Sequence, residues 1–252
     1  KMILNKSKRI VVKIGSSLLI KKNKINTTWV NRLSEDISKL WKNKIEIIIV
    51  TSGAIAIGCK YLKISRKNLK LKEYQAVSAI GQIELINLFK KFLSKKKIKI
   101  GQILLTLEDT ENRRRALNAK DTIENIFKLK GIPIVNENDT TATNEIRYGD
   151  NDRLAARVAQ ITSSDTLVML SDIDGLYTKD PKKFKNAEHI SEVKIITDKI
   201  LKSASKSVTD YGSGGMITKI EAAKICMASG CRMILTKGSV NNPLGKLEKE
   251  KF

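Results

Sequence analysis

The chain has 252 residues, and 48 Lys and Arg against 26 Asp and Glu give it a net charge of +22. A hydrophobic fraction of 41%, spread along the whole length, excludes intrinsic disorder and allows a sizeable core. Three cysteines without a CxxC pair, a single histidine and no apolar run near ~18 residues argue against a disulfide framework, a histidine-rich metal centre and a membrane-spanning helix.

From the amino terminus, the β-branched run over 10–14 predicts a buried strand that breaks at Gly15-Ser16-Ser17. Trp29, Leu33, Ile37, Leu40 and Trp41 recur at helical spacing and predict a helix over 28–42. A second strand over 45–50 ends at Thr51-Ser52-Gly53-Ala54, and a long helix is expected over 73–94. A strand over 98–105, a helix over 112–130 stopping at Gly131, and a strand over 132–136 follow. The second half adds a helix over 153–161, a strand over 166–170, a helix running from the Gly212–Gly215 loop to about 229, and a strand over 233–236. This alternation predicts an α/β fold, a three-layer sandwich with a mainly parallel central sheet and helices on both faces. Only three prolines occur and no Gly/Ser/Pro-rich linker divides the chain. A single domain over 1–252 with two lobes, about 1–160 and 161–252, is expected.

In such sheets ligands sit beyond the carboxyl ends of the strands. Four predicted strand ends here carry glycine, hydroxyl, amide or carboxylate groups: Lys13 to Ser17, Thr51 to Ala54, Asn136 to Asp139, and Ser171-Asp172. Lys13 interrupts an apolar strand, where a charge needs a partner or an anion. The loop Gly212-Ser213-Gly214-Gly215, followed by Met216-Ile217-Thr218-Lys219, has the makings of a phosphate cradle with a lysine one turn in; it also reads as a glycine turn capping a helix. Neither a Walker A loop nor a Rossmann fingerprint is present. Gly149-Asp150-Asn151-Asp152, just ahead of a predicted helix, reads either as a ligand cluster or as a helix cap. Together these groups suit phosphoryl transfer.

These motifs, together with Gln102 to Thr106 and Gly175-Leu176-Tyr177-Thr178, occur in an order that resembles the amino acid kinase family, in the branch that phosphorylates the side-chain carboxylate of glutamate. The resemblance implies that Lys13 and Lys219 stabilise the transferring phosphoryl group and that Asp152 orients them. It implies that Ser52, Asp139 and Asn151 contact the amino acid, with backbone N–H groups from Gly53 and Ala54. It places the nucleotide on Lys13, Gly15, Ser16, Ser171, Asp172 and the segment Ser213, Gly214, Gly215, Met216, Ile217, Thr218 and Lys219. ATP with Mg2+ is then the donor, the metal held mainly by the ATP phosphates and water, and no protein metal ligand is assigned. The reaction would make L-glutamyl 5-phosphate for proline biosynthesis, in the cytoplasm.

As partners the resemblance implies a homo-oligomer, dimer or tetramer, and possibly transfer of product to glutamate-5-semialdehyde dehydrogenase; neither a membrane nor a specific nucleic acid is expected. Many bacterial members carry a carboxy-terminal PUA domain, and with only 241–252 beyond the last predicted strand it is expected to be absent. Alternatives are a sister kinase for acetylglutamate, aspartate, carbamate or uridylate, and a basic nucleic-acid-binding protein. The positive charge is mostly lysine and reads either as a surface bias or as the mark of an anionic partner. Arg113-Arg114-Arg115 point around a helix axis and suit a solvated or subunit-contact surface. His189 is placed at the surface, and Cys226 and Cys231 in helix packing.

Overall fold

The computed structural model describes residues 3–67, 69–142, 150–179, 181, 183–198, 200–201 and 215–249. Strand β1 (Arg9–Ile14) leads through the short helix α1 (Ser16–Leu19) and the hairpin β2 (Ile20–Lys21) and β3 (Lys24–Ile25) to α2 (Thr27–Lys42). Next come β4 (Glu46–Thr51), α3 (Ala54–Leu62), α4 (Leu71–Ser94), β5 (Lys99–Leu105), α5 (Leu107–Glu111), α6 (Arg113–Lys128) and β6 (Gly131–Glu137). The remainder comprises α7 (Asp150–Ile161), β7 (Thr166–Ser171), the small pair β8 (Leu176–Tyr177) and β9 (His189–Ile190), α8 (Met216–Ala228), β10 (Arg232–Lys237) and α9 (Pro243–Leu247).

Six strands form one sheet in the order β10-β7-β1-β4-β6-β5, and every neighbouring pair is parallel. Their carboxyl ends therefore reach one edge together. Because strand side chains alternate in direction, the sheet feeds two cores. Ile10, Val12, Ile14, Ile47, Ile49, Ile134 and Leu170 pack against α1 to α4 and α9. Val11, Ile48, Val50, Val135, Leu167 and Met169 pack against α6, α7 and α8. The expected three-layer arrangement is what forms.

Each predicted strand is present to within a residue or two, but helix α3 was not anticipated. Its sequence, Ala54 to Leu62, is almost wholly apolar with Gly58 in the middle, so it shows no amphipathic period and carries a poor helix former. Packing supplies what propensity lacks. A Cβ on Gly58 would lie 2.3 Å from the Val77 carbonyl oxygen, and one on Gly81 only 1.9 Å from that of Ala54. Two glycines thus let the backbones of α3 and α4 touch. Helix α7 also begins earlier than expected, at Asp150 rather than 153, so Asn151 and Asp152 lie inside its first turn.

The opposite edge of the sheet is tied by Arg9, whose guanidinium bridges Glu46 and Glu124 at 2.6 Å each. Cys226 and Cys231 are buried, and His189 is exposed with its ring edge-on to Tyr177. Arg113, Arg114 and Arg115 lie at the exposed start of α6, where Arg115 pairs with Asp109 at 3.0 Å. No described helix is long and apolar enough to cross a membrane.

The glycine contact has a measurable consequence. Gly81→Ala should cost about 3 kcal/mol in denaturant unfolding because the clash is with backbone. Gly215→Ala, where an added Cβ meets nothing within 4 Å, should stay within about 0.5 kcal/mol.

Candidate active site

Lys13 shares a strand face with Val11, two residues away, and Val11 belongs to the core beneath α6, α7 and α8. The lysine therefore leaves the sheet on the α7/α8 side, close to its carboxyl edge, between Val50 of β4 and Met169 of β7. Asp152 lies on the same helical face as buried Ala155, Ala156 and Ala159. Lys219 lies in the first turn of α8, one turn before buried Ala222. Three elements thus aim charged groups at one point.

They meet closely. Lys13 Nζ lies 2.5 Å from Asp152 Oδ1, and Lys219 Nζ lies 3.1 Å from Asp152 Oδ2. Thr218 Oγ1 donates to the same Oδ2 at 2.9 Å. Asp152 is fully buried, and each lysine is only 8% exposed. Burial alone would push the Asp152 carboxyl up, but the ammonium groups of Lys13 and Lys219, with hydrogen bonds from Lys13 and Thr218, hold it below the ordinary carboxylate value. Two ammonium groups thus meet one carboxylate in a poorly hydrated place. Such a pair of ammonium groups is poised to bind a further anion.

The strand-end loops surround this point. Gly15 caps α1, which begins at Ser16, and a Cβ at Gly15 would lie 3.7 Å from the Leu170 carbonyl oxygen. Ser171, at the end of β7, is buried and donates to Asp172 Oδ1 at 3.0 Å. Gly215 caps α8, and its carbonyl accepts from Thr218 N at 3.2 Å. Met216, Ile217 and Thr218 occupy the first turn, where the Met216 and Ile217 backbone N–H groups have no earlier carbonyl of their own helix to reach. Gly149, Gly212, Ser213 and Gly214, named from the sequence, lie outside the described residues.

On the other side, Ser52 Oγ donates to the Ile14 carbonyl at 3.1 Å, directly after Lys13 in β1. Gly53 caps α3 with φ 100°, a left-handed conformation suited to glycine, and Ala54 opens the helix. Asp139 is buried, accepts from the Ser78 hydroxyl, and has its carboxyl raised by burial, which that hydrogen bond only partly offsets. Asn151 Nδ2 reaches Asn136 Oδ1 at 3.4 Å, and Asn136 Nδ2 donates to Gln82 Oε1 at 2.7 Å. Two separate polar groups result, Ser78 with Asp139 and Gln82 with Asn136 and Asn151, the latter next in sequence to Asp152.

Ser78 and Gln82 were not singled out in the sequence, and Asn136 was noted only as part of a strand end. A signal was available. Ser78 and Gln82 are four apart on α4, on the buried stripe of Val77, Gly81 and Leu85, where polar residues are uncommon without a partner. Among the described residues no group of three or more His, Cys, Asp and Glu could hold a metal ion. Asp152 is already engaged through both oxygens.

Comparison with known proteins identifies the family. A family model described as the amino acid kinase family matches residues 8–237. The chain is 59% identical over 250 residues to the glutamate 5-kinase of Pelagibacter ubique strain HTCC1062, covering 99% of the chain and 68% of that relative. It is 49% identical over 244 residues to that of Paramagnetospirillum magneticum, covering 96% of the chain and 66% of the relative. The chain thus spans about two thirds of the length of these curated relatives. Among solved structures, UMP kinase from Ureaplasma parvum shares the fold with a TM-score of 0.62 at 21% identity, covering 97% of this chain and 96% of that one. Carbamate kinase from Giardia lamblia does so with 0.65 at 15% identity, covering 94% of each chain. With the family model matched from β1 to β10 and the fold and charged cluster in place, the chain belongs to the amino acid kinase family.

Proposed function

We propose that the chain transfers the γ-phosphoryl group of ATP to the side-chain carboxylate of L-glutamate, forming L-glutamyl 5-phosphate, the first step toward proline. The observation that carries this reading is the pair of buried lysines sharing Asp152 at the carboxyl edge of the sheet. The acceptor carboxylate has a reference pKa of ~4.3 and is ionised at neutral pH, so it attacks without a general base. What the reaction requires is in-line placement and neutralisation of charge on the transferring group. Lys13 and Lys219 supply the charge, and Asp152 fixes where the two ammonium groups stand.

The nucleotide phosphates lie, in this reading, on Lys13, Gly15, Ser16, Ser171, Asp172 and Ser213 to Lys219, largely in the second lobe, about 161–252. Magnesium is carried by the ATP phosphates and water, consistent with an Asp152 carboxylate already occupied by lysines. The amino acid lies in the first lobe, about 1–160, on Ser52, Gly53, Ala54, Asp139 and Asn151.

Asp139 favours a free amino acid, glutamate or aspartate, over the remaining sister-kinase substrates. Its buried carboxylate has a neutral partner, Ser78, and burial raises it, so a bound α-ammonium would supply the missing cation. Acetylglutamate, carbamate and uridylate lack that ammonium. The acyl phosphate product is labile in water, which fits a homo-oligomer that hands it to glutamate-5-semialdehyde dehydrogenase in the cytoplasm.

Incubation with ATP, magnesium and L-glutamate, with the acyl phosphate trapped as a hydroxamate, should give product; a rate at background would remove the assignment. Lys13→Ala and Lys219→Ala should each lower kcat by about 10² or more, and a near-normal kcat in a folded variant would remove that lysine from the mechanism.

Asp139→Asn should separate stability from binding. Because the folded carboxyl lies above its unfolded value, the charged form costs stability as pH rises through that value. The variant should therefore melt higher at neutral pH, by about 2–4 °C for each kcal/mol recovered, while its KM for glutamate rises. Asp152 has the opposite sign. Its contribution is complete above an unfolded value of about 3.9 and is lost as pH falls through the lower folded one. Asp152→Asn should cost about 3–5 kcal/mol at pH 7 by leaving two buried ammonium groups together, measured by chemical denaturation.

A further inference from the structure

Two side-chain atoms beside the proposed glutamate site are buried and lack a hydrogen-bond partner: Nε2 of Gln82 and Oδ1 of Asn151. Buried polar atoms are seldom left unpaired unless something uses them. Here they form the two ends of one line of amides.

The direction of every amide in that line is set by a backbone group. The N–H of Glu137 can only donate, and it donates to Asn136 Oδ1 at 2.9 Å. Asn136 must then turn Nδ2 toward α4, so the atom of Gln82 facing it must be an acceptor, Oε1, at 2.7 Å. Asn136 Oδ1 also receives Nδ2 of Asn151 at 3.4 Å, which leaves Asn151 Oδ1 as the buried acceptor at the end of the line. One backbone N–H thereby polarises three side chains. The line ends in an acceptor at Asn151, in the turn of α7 that also carries Asp152. Were Asn151 flipped, a donor would face the substrate's ammonium instead.

We propose that Gln82 is a positioning residue: by accepting from Asn136 Nδ2 it holds in place the amide whose orientation the Glu137 N–H sets, so that Asn151 Oδ1 accepts from the α-ammonium of the amino-acid acceptor. The line thereby selects a free amine, while Asp139 supplies the compensating charge. This rests on the reading of Asn151 as a substrate contact. Gln82 is 7% exposed and lies four residues beyond Ser78, which holds Asp139. One stretch of α4 therefore supports both amine-facing groups.

The test compares kcat/KM for L-glutamate with that for glutarate, which has the same two carboxylates and no amine, in the full chain. In Gln82→Met, which cannot accept from Asn136, KM for glutamate should rise about tenfold and the glutamate-to-glutarate preference should shrink about tenfold. KM for ATP should stay within about twofold, whereas a general packing defect would impair both acids alike. Gln82→Glu keeps an acceptor toward Asn136 and should hold the preference within about threefold of the wild type. A folded Gln82→Met with an unaltered preference overturns the role of Gln82, and so does a preference lost equally in Gln82→Glu. If Gln82→Met does not fold, the preference measured in Gln82→Glu decides alone. A wild type active on glutamate while Gln82→Met changes nothing leaves the proposed reaction standing; a wild type active on neither acid overturns both.

Discussion

A single carboxylate, Asp152, organises the candidate site. Its two oxygens hold ammonium groups from a central strand and from the start of α8, and it stands at the start of α7 itself. Two buried lysines would repel each other and lose hydration without it. With it, they occupy defined positions. The parallel sheet brings the three elements together at one edge.

The second constraint is the touching of α3 and α4 at Gly58 and Gly81. It brings the start of α3, with Gly53 and Ala54, beside the stretch of α4 that carries Ser78 and Gln82. The hydrogen bonds from Gln82 through Asn136 to Asn151 cross the gap between α4, β6 and α7, so their geometry is no more rigid than this packing. The charged cluster and the directional amides meet in the first turn of α7, at Asp152 and Asn151. These are different tools: lysines neutralise, whereas amides discriminate donors from acceptors.

The net charge of +22 looks at first like the leading property of the chain. Structure assigns it little of the chemistry. Lys13 and Lys219 are buried, whereas Arg113, Arg114 and Arg115 lie at an exposed helix start. The surplus can steer anionic substrates toward the cleft, but position, not quantity, makes a lysine useful here.

Much of this was legible without coordinates. β-Branched runs, helical spacing and glycine breaks determined the alternation of elements and hence a parallel sheet, and a lysine inside an apolar strand announced a buried charge in need of partners. Local pattern could not reveal α3, because an apolar nine-residue segment has no period and owes its helix to a glycine contact with α4. Nor could it reveal Ser78 and Gln82 as site residues, or which amide atom each side chain presents. Those depend on partners far apart in sequence, such as Gln82 with Asn136 and Asp152 with Lys219. Short-range preferences determine what each segment becomes; long-range packing decides which polar atoms are left facing one another.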